Sequence, residues 1–324
     1  MNTLENITAN YKADLDKLNQ RIHNRLDSNN PLLGTIVRSL LRTKGKQIRP
    51  LLVLMSARMC GEINEKVLAA GAAVELLHNA SLIHDDVVDN SMTRRNMPTV
   101  NAVWDNHVAV LVGDFFTASA MHEAISTGDI RIVDVLCKLG KDLSMGEIDQ
   151  ICNAREHTLD ENTYYRIIDY KTASLFLSSA QMGCLAVGAD EEHTKALMDY
   201  ALYFGRCFQI RDDIFDYYPA ELVGKPTGND LREGKISLPL IYALSKEDAP
   251  GRAEALELIK HDALTDEQIA ELQAFARDNG GIDYACNVMR DLRVKAMDGL
   301  AVFGDCPECK ELATLFDFII ERQF

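Results

Sequence analysis

Alternation of apolar and polar residues, the mark of a half-buried strand, is missing from this chain; periodicity of the helical kind dominates it. The segment RPLLVLMSARMCG (49–61) reads as a helix with Pro50 in its first turn and Gly61 past its end. A longer helix is expected over 64–90, NEKVLAAGAAVELLHNASLIHDDVVDN. Its stretch from Ala69 to Ala73 has so little side-chain bulk that another helix can approach closely. Further helices are expected over 107–126, 130–154, 161–187 and 191–218, the last stopped by Pro219. Residues 265–279 open with Thr265 and Gln268 at capping-box spacing. Only 8 residues are proline, no Gly- or Ser-rich linker is present, and no internal repeat stands out. The 324 residues are therefore expected to form one domain, 1–324. The fold class implied is all-α, a bundle of many helices around a central active-site cavity.

A formal net charge of -15 argues against nucleic-acid binding, which needs a basic surface. A protein this acidic binds an anion only by gathering its few cations locally or by recruiting metal ions. The 8 cysteines are scattered through helical segments, which suits buried thiols in a reducing compartment. Cys306 and Cys309 have C-x-x-C spacing, but without a second such pair they read as two thiols near the start of a last helix, not as a zinc site. The amino terminus is polar and acidic, unlike a signal peptide, and nothing approaches the ~18 consecutive apolar residues of a membrane span. A cytoplasmic protein with no transmembrane segment is expected.

Two acidic clusters share one spacing. Asp85, Asp86 and Asp89 end the long apolar helix in DDVVD; Asp212, Asp213 and Asp216 end another in DDIFD. Residues four apart lie on one helix face, about 6 Å apart along the axis. Asp85 and Asp89 therefore point one way, as do Asp212 and Asp216, while Asp86 and Asp213 turn aside. One such cluster is most often a solvated helix end. Two, both at helix C-termini where the macrodipole disfavours negative charge, call for cations. Oxygen-only ligands point to Mg²⁺, shared between carboxylates and a substrate's phosphates. Basic residues stand near the same places in sequence: Lys46 and Arg49, Arg94 and Arg95, Lys171, and then Lys225 and Lys235. Arginine pairs with phosphate oxygens in bidentate fashion. His78, two helical turns before Asp85 on the same face, reads as a neutral donor to an anion.

These motifs together resemble the trans-isoprenyl diphosphate synthase family, the polyprenyl synthetases, and in particular its long-chain bacterial members. The likeness rests on DDVVD and DDIFD, on GKQIRP at 45–50, on the arginine pair, on GDFF at 113–116, on Lys171 with Thr172, and on Gln209. It runs from about residue 30 to 245. Departures are Asn96 after the arginine pair, Gln47 after Lys46, and Arg211 before the second aspartate pair. The resemblance implies a homodimeric, Mg²⁺-dependent prenyltransferase that condenses an allylic prenyl diphosphate with isopentenyl diphosphate head to tail. The product would be a long-chain all-trans polyprenyl diphosphate, with a quinone side chain as its default use.

On this reading Asp85 and Asp89 hold two Mg²⁺ ions and Asp212 a third, with Asp216 acting through water. Arg94, Lys171, Thr172, Gln209, Lys225 and Lys235 serve the allylic diphosphate. Lys46, Arg49, His78 and Arg95 hold isopentenyl diphosphate. Asp85, Asp89, Lys171, Asp212 and Lys225 carry the catalysis. Ala80 and Ser81, where short-chain relatives place an aromatic floor, leave the tail's path open towards Leu77, Leu136 or Phe116. The alternatives are a short-chain farnesyl or geranylgeranyl diphosphate synthase, a terpene cyclase, which needs no second diphosphate site, and an inactive regulatory subunit.

Overall fold

The computed structural model of the chain describes residues 3–42, 45–95, 97–223, 227–261 and 263–322, with the side chains of Thr3, Ala220 and Glu221 left aside. Helices stand where the periodicity puts them: Ile48–Cys60, Glu65–Val88, Asn106–Ser126, Ile130–Glu156, Glu191–Asp216 and Asp266–Asp278. Local chemistry sets the ends. Asn64 caps the Glu65–Val88 helix, its side chain accepting from the N–H groups of Lys66 and Val67 at 2.9 and 3.2 Å. Thr265 and Gln268 form the expected capping box.

Three departures have physical causes. Residues 161–187 run as two helices, Glu161–Ile168 and Ser174–Val187, joined by a π-helical turn at Asp169–Ala173. The helix expected to reach Tyr218 ends at Asp216, where the next two N–H groups fall back on carbonyls three residues earlier. Thr93–Arg94 and Met97–Pro98 form a small antiparallel hairpin, each strand too short to show alternation.

The chain divides into two compact units, each built from discontinuous stretches. The first comprises residues 1–141, 175–198 and 302–311. Its centre is the Glu65–Val88 helix, buried from Val67 through Val74. The small residues do what their size allows: a Cβ on Gly71 would lie 2.5 Å from Leu18 Cδ1, on the Lys12–Arg25 helix. Further along, a Cβ on Gly113 would lie 2.2 Å from the His84 ring, so the Asn106–Ser126 helix also packs closely. Glu123 is buried in this unit and accepts from both Arg21 Nε and Arg25 Nε, the latter at 2.5 Å. Two helices, Glu65–Val88 and Asn106–Ser126, are long and apolar enough, by length and composition only, to cross a membrane. The apolar window of the first is 72% buried inside the protein and that of the second 44%.

The second unit comprises residues 142–174, 199–301 and 312–324. Tyr200, Phe204 and Phe316 form an aromatic core, with Phe204 and Phe316 edge to face at 5.6 Å. The Tyr200 hydroxyl donates to the Leu312 carbonyl at 2.9 Å, so the polar tip of this buried ring is satisfied.

Candidate active site

In the first unit the Glu65–Val88 helix presents Glu75, His78, Ser81, Asp85 and Asp86 in turn, with Asp89 at its C-cap. Asp85 is half-buried and Asp89 exposed. The Asp89 N–H donates to the Asp85 carbonyl at 2.8 Å, which keeps the helical register of the two carboxylates to the last turn. Asp86 is turned inward and buried. It accepts from Arg94 Nε at 2.8 Å, and burial raises its carboxyl while Arg94 opposes the rise. The middle aspartate is thus tied to the first of the paired arginines. Those arginines lie in the short hairpin and not on a helix end; Arg95 takes a left-handed φ of 52°.

Arg95 reaches back to the loop at Gly45. A Cβ there would lie 2.8 Å from both terminal guanidinium nitrogens, so the arginine tip occupies the space that glycine leaves open. Gln47, with a φ of 49°, is held by a reciprocal amide pair with Asn19 at 2.7 and 3.2 Å. That pairing gives the departure at Gln47 a structural role. Arg49 lies over the Phe176 ring, 4.9 Å from its centroid, and burial lowers its guanidinium to about 10. Burial holds the His78 imidazole well below the usual histidine range, and Arg49, Arg95 and Arg94 push the same way. His78 is therefore neutral at physiological pH, and its buried Nδ1 has no hydrogen-bond partner among the described residues. Glu75, raised by burial and opposed by Arg49 and Arg95, lies beside this group. A cavity of about 410 Å³ is lined by Gly45, Gln47, Glu75, Asn79 and Arg95. Lys46 is exposed in the same loop.

In the second unit the π turn sets the stage. A Cβ on Gly146 would lie 2.8 Å from the Lys171 nitrogen, so the Ile130–Glu156 helix lies against the turn. Lys171 Nζ meets Glu147 at 2.6 Å. With the Gln150 amide oxygen facing the cations, it accepts from both Lys171 Nζ and Lys235 Nζ at 3.1 Å. Two lysines far apart in sequence thus share one oxygen, and Lys235 also pairs with Glu233 at 2.5 Å. Thr172 donates to the Gln209 side-chain oxygen Oε1 at 2.7 Å, the Gln209 side-chain amide Nε2 donates to Asp213 at 2.8 Å, and the Tyr164 hydroxyl donates to Asp213 at 2.6 Å. Burial still pushes the Asp213 carboxyl up to about 6. Lys171, Thr172, Gln209, Asp213, Asp230 and Lys235 line a cavity of about 170 Å³.

The carboxylate oxygens of Asp216 accept from the N–H groups of Asn229 and Asp230 at 3.2 and 3.1 Å, fixing the loop that carries Lys235. Burial beside Asp213 and Asp216 pushes Asp230 up to about 8. Asp212 pairs with Arg322, and the Arg322 carbonyl accepts from Arg211 at 2.5 and 3.1 Å. Arg211, the departure before the aspartate pair, is thereby placed: it holds the end of the chain whose side chain meets Asp212. Lys225, like Asn96, lies outside the described residues.

Glu75, Tyr164, Gln150, Asp230 and Arg322 were absent from the sequence reading. Their partners are remote in sequence, so no local spacing signals them. The donors around both aspartate clusters are oxygens, which fits a hard cation such as Mg²⁺. Among the described residues no group of three or more His, Cys, Asp or Glu converges on one point. A cation here would complete its shell with water and phosphate oxygens.

Residues 30–275 match the polyprenyl synthetase family. Octaprenyl diphosphate synthase of Haemophilus influenzae is 34% identical over 323 residues, which is 99% of this chain and 98% of that one. A polyprenyl synthase from Caulobacter crescentus, solved in complex with calcium and isoprenyl diphosphate, gives a TM-score of 0.91 at 32% identity, covering 99% of this chain and 98% of that one. A geranylgeranyl pyrophosphate synthase from Bacteroides thetaiotaomicron gives 0.85 at 34% identity, covering 100% of both. The chain belongs to the polyprenyl synthetase family and is a prenyltransferase.

Proposed function

We propose that this enzyme condenses an allylic prenyl diphosphate with isopentenyl diphosphate, head to tail, and makes a long-chain all-trans polyprenyl diphosphate. The observation that carries the reading is electrostatic. In a chain of net charge -15, Arg49, Arg94 and Arg95 act together on His78, which is buried and neutral. Guanidiniums gathered around a neutral donor suit a diphosphate. The two lysines on Gln150 supply a second cationic group. A reaction with two diphosphates uses both; a terpene cyclase needs one.

Asp85, Asp89, Asp212 and Asp216 would hold Mg²⁺, with three ions per active site as the family likeness implies. Bound Mg²⁺ supplies the electrostatic pull on the diphosphate oxygens that lets the allylic C–O bond break. Lys171, Lys235, Arg94 and Lys225 offset the charge that develops on the leaving diphosphate. Lys46, Arg49, His78 and Arg95 orient isopentenyl diphosphate so that its double bond meets the allylic cation. Thr172 and Gln209, bonded to each other, present oxygen dipoles that do not attack the cation. The proton lost after condensation goes to the departing diphosphate. Quinone side-chain synthesis in the cytoplasm is the use we infer. A homodimer is supported by Leu111, Met121 and Ile125, exposed apolar residues on one helix that a second copy would cover.

Incubation of the pure protein with farnesyl diphosphate, isopentenyl diphosphate and Mg²⁺ tests this. Diphosphate release with chain growth is expected. Release from the allylic substrate alone would indicate a cyclase, and no turnover an inactive subunit.

A further inference from the structure

Cys306 and Cys309 bracket the first turn of the Pro307–Glu321 helix, and chain elongation uses neither. The geometry points to a function for them: we propose that they form a reversible dithiol–disulfide couple that reacts with disulfide-bearing oxidants. Their sulfurs lie 2.7 Å apart. Closing to a covalent bond requires a further approach of only about 0.7 Å. Cys306 Sγ also accepts from the Cys309 N–H at 3.2 Å, so the helix turn itself fixes the two sulfurs face to face.

The surrounding turn is built. Gly304, with a φ of 66°, reverses the chain before Cys306, and Lys310 clamps it through an ion pair to Asp305 at 2.8 Å. Both cysteines are partly exposed, between exposed Asp305 and Lys310, so an oxidant reaches them. Zinc would need further ligands; among the described residues no group of three or more His, Cys, Asp or Glu is placed to hold a metal.

The two sulfurs are not equivalent. The N–H and the Lys310 ammonium face Cys306, while burial and the contact with Cys306 push the Cys309 thiol up to about 12. Glu308 stands on the Cys309 side. Cys306 is therefore the attacking sulfur and Cys309 the resolving one. The Cys306 thiolate attacks a disulfide RSSR, giving a Cys306–S–S–R mixed disulfide and RS⁻. That RS⁻ takes the Cys309 proton, and the Cys309 sulfur displaces the second RS⁻, which takes up the proton first lost by Cys306. Two cysteine thiols are oxidised to one disulfide, and one RSSR is reduced to two RSH.

The test equilibrates the reduced full-length protein in glutathione buffers of rising oxidised-to-reduced ratio. Acid quenching, alkylation and peptide mass mapping then follow. The peptide carrying both cysteines is expected to lose both alkyl labels together, without a glutathione adduct, and to regain them in dithiothreitol. Cys309→Ser is expected to trap a glutathione adduct on Cys306 at least ~10-fold more than Cys306→Ser traps one on Cys309. Thermal melts of the variants confirm folding. Full labelling at the highest ratio, equal adducts on either variant, or labelling blocked by a chelator-removable zinc ion would each overturn the proposal.

Discussion

Ser81→Phe and Ala80→Phe look like one experiment in sequence and two in the structure. Both residues precede Asp85 by about one turn on a continuous helix. At about 100° per residue, Ser81 lies about 40° from the direction of Asp85 and Ala80 about 140° away. Their surroundings agree. Ala80 is 1% exposed, packed into the core. Ser81 is half-exposed and spends its hydroxyl on the His78 carbonyl at 2.9 Å, a bond that leaves room beside it. A phenyl ring at 81 therefore stands about 6 Å along the axis from the anchored diphosphate, on the same side. A ring at 80 is forced into closed packing, which costs about 1–3 kcal/mol and lowers Tm by roughly 2–10 °C. Ser81→Phe is expected to shorten the product towards farnesyl or geranylgeranyl diphosphate while diphosphate release and Tm hold. Ala80→Phe is expected to lower Tm with little change in product length. Product chromatography and a thermal melt on each variant read both outcomes. An unchanged product from Ser81→Phe beside a shortened one from Ala80→Phe would refute the assignment of faces.

Three other outcomes follow from the same geometry. EDTA should abolish turnover and Mg²⁺ restore it, and Asp85→Ala or Asp212→Ala should each lower kcat by ~10²-fold or more in a folded protein; full activity in metal-free buffer contradicts this. Arg95→Ala should raise the KM for isopentenyl diphosphate at unchanged Tm, whereas Arg94→Ala should lower kcat and also weaken the fold by about 1 kcal/mol, because it leaves buried Asp86 without its cation. Identical effects of the two changes on both substrates and on Tm would show that the hairpin does not divide their roles. Glu123→Ala should destabilise the protein by about 2–4 kcal/mol in urea unfolding, since it removes the buried carboxylate shared by two arginines that are each only about a quarter exposed, while Arg21 keeps Glu65; a loss below half a kilocalorie would mean that solvent already screens the cluster.

What the sequence makes legible is what local spacing encodes. The pairing of Asp85 with Asp89 and of Asp212 with Asp216 needs only four-residue periodicity. The approach of Leu18 to Gly71 needs only the small residues that permit it. The π turn is different. It packs against the Ile130–Glu156 helix at Gly146, a contact between residues more than twenty apart in the chain. The Gln150 oxygen between two lysines, the Arg211 grip on the Arg322 carbonyl and the pair between Asp86 on the helix and Arg94 on the hairpin are likewise products of tertiary folding. A two-residue strand carries no period to read, so the sequence places the paired arginines near the first aspartate cluster but not in a hairpin.

Chromatography of the products formed from farnesyl diphosphate, isopentenyl diphosphate and Mg²⁺ after extended incubation tests the central claim most directly. Successive additions that carry the chain well beyond geranylgeranyl diphosphate, with one diphosphate released per addition, are expected. Accumulation of geranylgeranyl diphosphate as the final product, with isopentenyl diphosphate still in excess, would contradict the long-chain assignment and place a floor elsewhere in the tail's path.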